Sequence, residues 1–473
     1  MKKYFCLLVL ANAMILNASA QYRSVMWERF LYSGPGLKQI GWLATKSSKE
    51  IVSSPWSVGC ETLDRDYSTF SSYKNYVGEL GVKRGRLQSG WAKCEKEKGK
   101  YNFAWLDSCV YGLAEQQVNP WICLCYGNPV YGSDIKLGAK IFTDEKAMNA
   151  WLKYVEATVT RYKDVVREWE VWNEPNGGNK FPEYAELLIK TAEVIKKVQP
   201  DGKVMGFSLA GIPLSFAEGV FQILKERNKL DLVDILTYHP YTNNPDDSYA
   251  DVEKLEALKN SYNPKIQLFQ GENGCPSILE WTHALAYYPW TEISQAKWFM
   301  RRMAGDCMRN IPSSVFTIID LQYYNMLQSF GLLRSNILHQ VIYKRPSYHG
   351  VQHMVSFFDD SVKPVGALNF KTNAYREMTV AGFKKGEAPV VLTWYKDQIP
   401  GDELKWDLVN LTIKNVNFKD PVYVEIISGK VFEINKQDWS NNQADVTFKN
   451  LPVWDSVIMI AERSVVNLQP ESN

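Results

Sequence analysis

From Trp56 to about Val355, short apolar runs alternate with stretches of helical spacing. The runs Trp56–Cys60, Val82–Leu87, Trp121–Cys125, Glu168–Trp172, Val204–Phe207, Val233–Tyr238, Ile266–Gln270 and Val315–Ile319 have the length and content of strands. Between them, Phe70, Tyr73, Val77 and Leu80 recur at steps of three and four, as do Trp151, Tyr154, Val155, Thr158, Val159 and Tyr162. That period places each set on one face of a helix. Turn signals such as Leu80-Gly81, Asn119-Pro120, Asp201-Gly202 and Asn263-Pro264 precede several of the runs. Eight β/α repeats over roughly three hundred residues predict an α/β chain built on a (β/α)8 TIM barrel, assigned to residues 56–358. No GxGxxG or phosphate loop follows any strand, which disfavours a doubly wound nucleotide-binding sheet.

After about Asp360 the helical spacing disappears. Val390–Tyr395, Leu408–Ile413, Val422–Ile427, Val446–Phe448 and Val457–Ile460 read as short strands, separated by Pro400-Gly401, Gly429 and Asn441-Asn442. Residues 359–473 are therefore expected to form a β-sandwich. Residues 21–55 are expected to add a strand or two to it.

Met1–Ala20 carries two lysines, an apolar run and the small residues Ala18-Ser19-Ala20, the pattern of a cleavable export signal. The run is short and broken by Asn12, so membrane insertion is not expected, and the protein is read as periplasmic or secreted. The whole-chain charge is +2, and loss of Lys2 and Lys3 with the leader brings it to neutral. Neutrality without a basic run argues against nucleic-acid binding. Aromatics reach 13%, a level that suits sugar-stacking clefts and large cores equally. Seven cysteines lie beyond the leader, so an odd thiol is left over. Cys123 and Cys125 share a strand face, but no histidine is near, so they read as small buried hydrophobes rather than metal ligands.

In a barrel of this kind, chemistry sits at the C-terminal ends of the strands. The fourth run ends in Trp172-Asn173-Glu174-Pro175, where Pro175 stops the ladder and fixes the exit. The seventh runs into Gln270-Gly271-Glu272-Asn273, handing a second glutamate to the rim. Strands four and seven face each other across the mouth. Two carboxyls about 5–5.5 Å apart are what retaining glycosidic hydrolysis requires, one attacking and the other protonating the leaving oxygen. Like charges at that distance cannot both ionise easily, so equal residues take unequal roles.

Trp172-Asn173-Glu174-Pro175 resembles the Asn-Glu-Pro motif of clan A glycoside hydrolases. Gly99-Lys100-Tyr101-Asn102-Phe103-Ala104-Trp105-Leu106-Asp107 is similar to a stretch of families 39 and 42. Tyr238-His239-Pro240-Tyr241 falls at strand six, where the clan carries a His and a Tyr. Gln295-Ala296-Lys297 and Lys344-Arg345-Pro346-Ser347-Tyr348 are similar to late-barrel stretches of family 39-like enzymes. The resemblance implies Glu174 as acid/base and Glu272 as nucleophile. It implies Asn173 on the sugar 2-hydroxyl, Arg86 beside Glu272, and His239 or Tyr241 on the nucleophile or the sugar. It implies an oligo- or polysaccharide substrate, no cofactor and no metal, and β-xylosidase, β-galactosidase, β-glucosidase or uronidase-type activity without choosing among them. One departure stands out. The clan often places a Trp at the end of strand eight, but here the strand runs into Asp320-Leu321-Gln322-Tyr323. Asp320, Gln322 or Tyr323 is then the replacement, with Trp281 as a sugar platform from a loop. That gap also motivates an alternative, a catalytically silent carbohydrate-binding protein on a glycosidase scaffold.

Overall fold

The computed structural model describes residues 23–470; the export-signal expectation for Met1–Ala20 lies outside them. Strand β1 (Gln39–Leu43) precedes a closed parallel barrel of β2 (Trp56–Gly59), β3 (Arg84–Gln88), β4 (Asn119–Leu124), β5 (Glu168–Val171), β6 (Lys203–Ala210), β7 (Ile235–His239), β8 (Gln267–Asn273) and β9 (Ser313–Val315). The barrel closes where β2 pairs with β9, Trp56 opposite Ser313. Helices cross over between successive strands. The helix over Glu145–Tyr162 buries Trp151, Tyr154, Val155, Thr158, Val159 and Tyr162, the face its periodicity marks. Inside the barrel, Trp121, Met205, Ile235 and Phe269 form a separate apolar plug. Arg86 lies over the ring of Trp121, so the polar site begins directly above the plug.

The eighth strand corrects the sequence reading. Its apolar run ends the ladder at Val315, and Phe316–Ile319 continues as irregular backbone. There Phe316 N–H donates to the Asn273 carbonyl at 2.6 Å and Ile318 N–H to the Gly59 carbonyl at 3.0 Å. These residues are apolar because they are buried. Burial alone does not distinguish a ladder from a packed loop. Two short hairpins follow, β10 (Leu321–Tyr323) with β11 (Met326–Gln328), and β12 (Leu333–Ser335) with β13 (Val341–Lys344).

The C-terminal region is antiparallel throughout. Its strands are β14 (Val362–Ala367), β15 (Phe370–Thr372), β16 (Met378–Lys385), β17 (Ala388–Tyr395), β18 (Asp407–Ile413), β19 (Pro421–Glu425), β20 (Lys430–Glu433), β21 (Trp439–Asn442), β22 (Asp445–Val453), β23 (Ile458–Glu462) and β24 (Leu468–Gln469). One sheet has the order β14-β16-β17-β23-β19-β20-β1-β24 and the other β15-β18-β22-β21. Thus β1, from ahead of the barrel, sits between β20 and β24. The helix over Glu292–Met308 joins the two regions. Lys297 reaches Asp455 at 2.7 Å, and Arg301 bonds the Lys396 and Gln398 carbonyls from an inaccessible position. Among the described residues no helix is long and apolar enough to cross a membrane.

Candidate active site

Glu174 leaves the end of β5 through strained backbone. Trp172 has φ 69° and Glu174 φ 50°, both in the left-handed region that side chains with a Cβ resist. Pro175 opens a short 3-10 turn, and Glu174 N–H donates to the Ser208 carbonyl at 2.8 Å. Ser208 itself belongs to an irregular stretch of β6, where the register shifts between Gly206 and Leu209. The kink brings the Glu174 carboxyl within 2.9 Å of His239 Nδ1.

Glu272 comes from β8 and has different partners. Arg86 Nη1 donates to its Oε2 at 2.6 Å, and the Tyr241 hydroxyl donates to its Oε1 at 2.8 Å. Gly271 makes room beside it. A Cβ there would lie 3.2 Å from Thr237 and 3.3 Å from His239 Nε2. One donor atom each of Glu174, His239 and Glu272 lies within 4.8 Å of the others. Two carboxylates and an imidazole are a set that can hold a cation. Here Glu272 Oε2 accepts from Arg86 and Oε1 from Tyr241, so a cation would share each oxygen with a protein donor, one of them positively charged.

Arg86 organises the floor. It is fully buried; Nε and Nη2 donate to Glu170 Oε2 at 2.9 and 2.5 Å, Nη2 to Asn173 Oδ1 at 2.7 Å, and Nη1 also to Glu61 Oε1 at 2.9 Å. Asn173 in turn donates to the Tyr126 hydroxyl at 2.9 Å. Burial opposes the charge on Arg86, but Glu170, Glu61 and Glu272 overcome it and hold the guanidinium well above its usual range. Burial likewise disfavours the carboxylate of Glu170, yet Arg86, His239 and the Thr237 hydroxyl outweigh it, and its pKa is lowered. For His239, burial is offset by Glu272 and Glu174, so its pKa is raised. Burial, then Glu272, push Tyr241 well above the phenol range, which keeps it a donor.

The structure thus brings together Arg86, Asn173, Glu174, His239, Tyr241 and Glu272. Trp281 is elsewhere in character: it is 66% exposed in the loop after β8 and meets Tyr287 edge to face at 6.0 Å. An open hollow of about 600 Å³ begins at Tyr241 and is lined further by Asn243, His283, Tyr287 and Ile399. Of the residues after β9, Asp320 is buried and bonded by Arg345 at 2.6 and 2.9 Å, so it is structural. Gln322 reaches the Asn336 carbonyl at 3.4 Å. Tyr323 lies tilted against Tyr67 with ring centroids 4.3 Å apart, and burial, opposed by Arg65 and reinforced by Glu272, pushes its phenol up to about 12. The sequence reading missed Glu61, Glu170 and Tyr126. Glu170 had a usable signal, a carboxylate at an inward strand position two residues before Trp172. Tyr126 and Glu61 lie just beyond the ends of their runs and carry no motif.

A model of the Glycosyl hydrolases family 39 matches residues 88–267, from the end of β3 to the start of β8. That span holds Asn173, Glu174, His239 and Tyr241. A family 39 glycoside hydrolase from the gut symbiont Bacteroides cellulosilyticus WH2 superposes with a TM-score of 0.62 at 18% identity, over 86% of this chain and 81% of that one. A monomeric β-xylosidase from Caulobacter crescentus CB15 gives 0.57 at 16% identity, over 92% and 98%. A family 30 endoxylanase from Clostridium papyrosolvens C71 gives 0.57 at 12% identity, over 89% and 98%. At these identities the likeness is one of fold. A search of curated proteins returns no match. Barrel, site and family match define a glycoside hydrolase. Within that class the chain resembles the family 39 enzymes of clan A.

Proposed function

We propose that the protein is an exported, retaining β-glycoside hydrolase that cleaves an oligo- or polysaccharide by double displacement. Glu272 attacks the anomeric carbon while Glu174 gives its proton to the leaving oxygen. Glu174 then takes a proton from the water that releases the glycosyl-enzyme. The observation that carries this reading is the convergence of the two carboxyls within 4.8 Å, each with its own kind of partner. Glu272 accepts from a permanent cation and a phenol, a setting for an anion that attacks. Glu174 pairs with an imidazole, a group able to follow its change of protonation. An oxygen of each carboxyl within 4.8 Å of one on the other supports the retaining value of about 5–5.5 Å over the wider gap of about 6.5–9.5 Å that inversion needs for a water. Asn173, fixed by Arg86 and Tyr126, is placed to meet a sugar hydroxyl. Export is supported by the Met1–Ala20 pattern alone.

A panel of aryl β-glycosides and polysaccharides tests the proposal, with Glu272→Gln as control. Turnover lost in the control supports it and names the sugar. Glycan binding without turnover on any member would favour the silent binding protein instead.

A further inference from the structure

Glu61 follows β2 at the barrel mouth and is 2% exposed. Its Oε1 accepts from Arg86 Nη1 at 2.9 Å, the same nitrogen that donates to Glu272 Oε2 at 2.6 Å. On the opposite side of the guanidinium, Nε and Nη2 both donate to Glu170. Arg86 is therefore held between two carboxyl groups while it serves a third. Gly59 provides the cradle: a Cβ there would lie 3.1 Å from Glu61 Oε1. The titratable groups acting on Glu61 are Arg86 from β3, Glu272 from β8 and His239 from β7. Tyr241, Tyr323, Cys60 and Tyr73 feel it in turn.

Arg86 alone does not balance three carboxylates in so dry a space, and His239, the other positive group within reach, is engaged by Glu174 at 2.9 Å. Glu170 is ionised, and the proposed attack needs Glu272 as an anion. The remaining proton then belongs on Glu61. Burial, reinforced by Glu272 and opposed by Arg86, pushes its carboxyl up to about 8.

We propose that Glu61 is a positioning residue that, as a neutral acid, fixes Arg86 Nη1 on Glu272 without competing for its charge. This rests on Glu272 being the nucleophile. The test compares Glu61→Gln, which keeps a neutral acceptor, with Glu61→Leu, which keeps only bulk. Loss of a hydrogen bond to a charged group predicts that Glu61→Leu lowers kcat by roughly tenfold or more with KM little changed. Glu61→Gln should recover most of that loss. In wild-type protein at neutral pH, difference infrared spectra against Glu61→Gln should show one protonated carboxyl that the variant lacks. That spectrum needs no turnover and no Leu variant. It reads Glu61 even if the glycosidase reading fails or Glu61→Leu does not fold. Glu61→Gln as slow as Glu61→Leu, full activity in Glu61→Leu, or an ionised Glu61 in the spectrum would each overturn the proposal.

Discussion

Replacing Arg86 by Met removes a buried cation that bonds Glu61, Glu170, Asn173 and Glu272. The three carboxyls do not suffer equally. Glu61, whose carboxyl burial pushes up, is the neutral member of the trio in the proposal above. The Glu272 side chain is 11% exposed and keeps some access to solvent. Glu170 is 0% exposed and loses both of its Arg86 bonds, so the stranded charge is there. A stranded carboxylate escapes by taking up a proton. From an ordinary value of 4.5, that escape at pH 7 costs about 1.36 × 2.5, or about 3.4 kcal/mol. The figure falls within the roughly 3–5 kcal/mol seen when one partner of a buried pair is removed. The sign fixes the pH window. In wild type the Glu170 pKa is lowered, so its contribution is present above 4.5 and lost below. With Arg86 gone, burial is expected to prevail over His239 and Thr237 and raise it, so the penalty should be absent below 4.5 and grow by about 1.4 kcal/mol per pH unit above it. Urea denaturation of Arg86→Met should therefore show a loss of stability that grows by about 2.7 kcal/mol between pH 5 and pH 7. Adding Glu170→Gln should return much of the loss at pH 7. A penalty that does not change with pH, or a double variant no more stable than Arg86→Met, would refute the reasoning.

Other outcomes follow from the same geometry. Tyr241→Phe deletes the 2.8 Å bond to Glu272. At about 1.5–3 kcal/mol for a bond to a charged group, kcat/KM should fall roughly ten- to hundredfold, and a change under about threefold in steady-state kinetics contradicts this. Burial lowers the pKa of His353 from 6.5 to about 4, against the opposing pull of its hydrogen bonds to the Ile426 and Ile427 carbonyls. Its contribution is present above 6.5 and lost as pH falls toward 4, by at most about 3.4 kcal/mol, so His353→Gln should flatten the acid fall in melting temperature; parallel curves would contradict it. Trp281→Ala, at a position 66% exposed, should change folding free energy by less than about 0.5 kcal/mol, while raising KM for an oligosaccharide if the ring is a platform.

Where side chains sit at strand ends, the sequence was a good guide. Asn173, Glu174 and Glu272 follow alternating runs into a Pro or Gly, and a barrel sends such residues to its mouth. Arg86, in the middle of β3, was legible only through its resemblance to the strand-two arginine of the clan, since Lys83 and Arg84 stand beside it. Glu61 was not: its run was read to end at Cys60, and nothing local marks a carboxyl that folds back over Gly59 onto a guanidinium from another strand. The end of β9 was misread because buried loop and buried strand share a composition. Strands such as β15, β21 and β24 escaped notice because they are two to four residues long and partly or largely exposed, so no alternation develops. Tertiary context also set His239, which joined Glu174 rather than Glu272, at 2.9 Å against 3.8 Å.

The most direct test of the central claim follows the anomeric proton by NMR during the first turnovers on a cleavable aryl glycoside, with Glu272→Gln alongside. A first-formed product of unchanged anomeric configuration, absent with Glu272→Gln, is expected. An inverted product, or turnover that survives the loss of Glu272, would contradict double displacement at this pair.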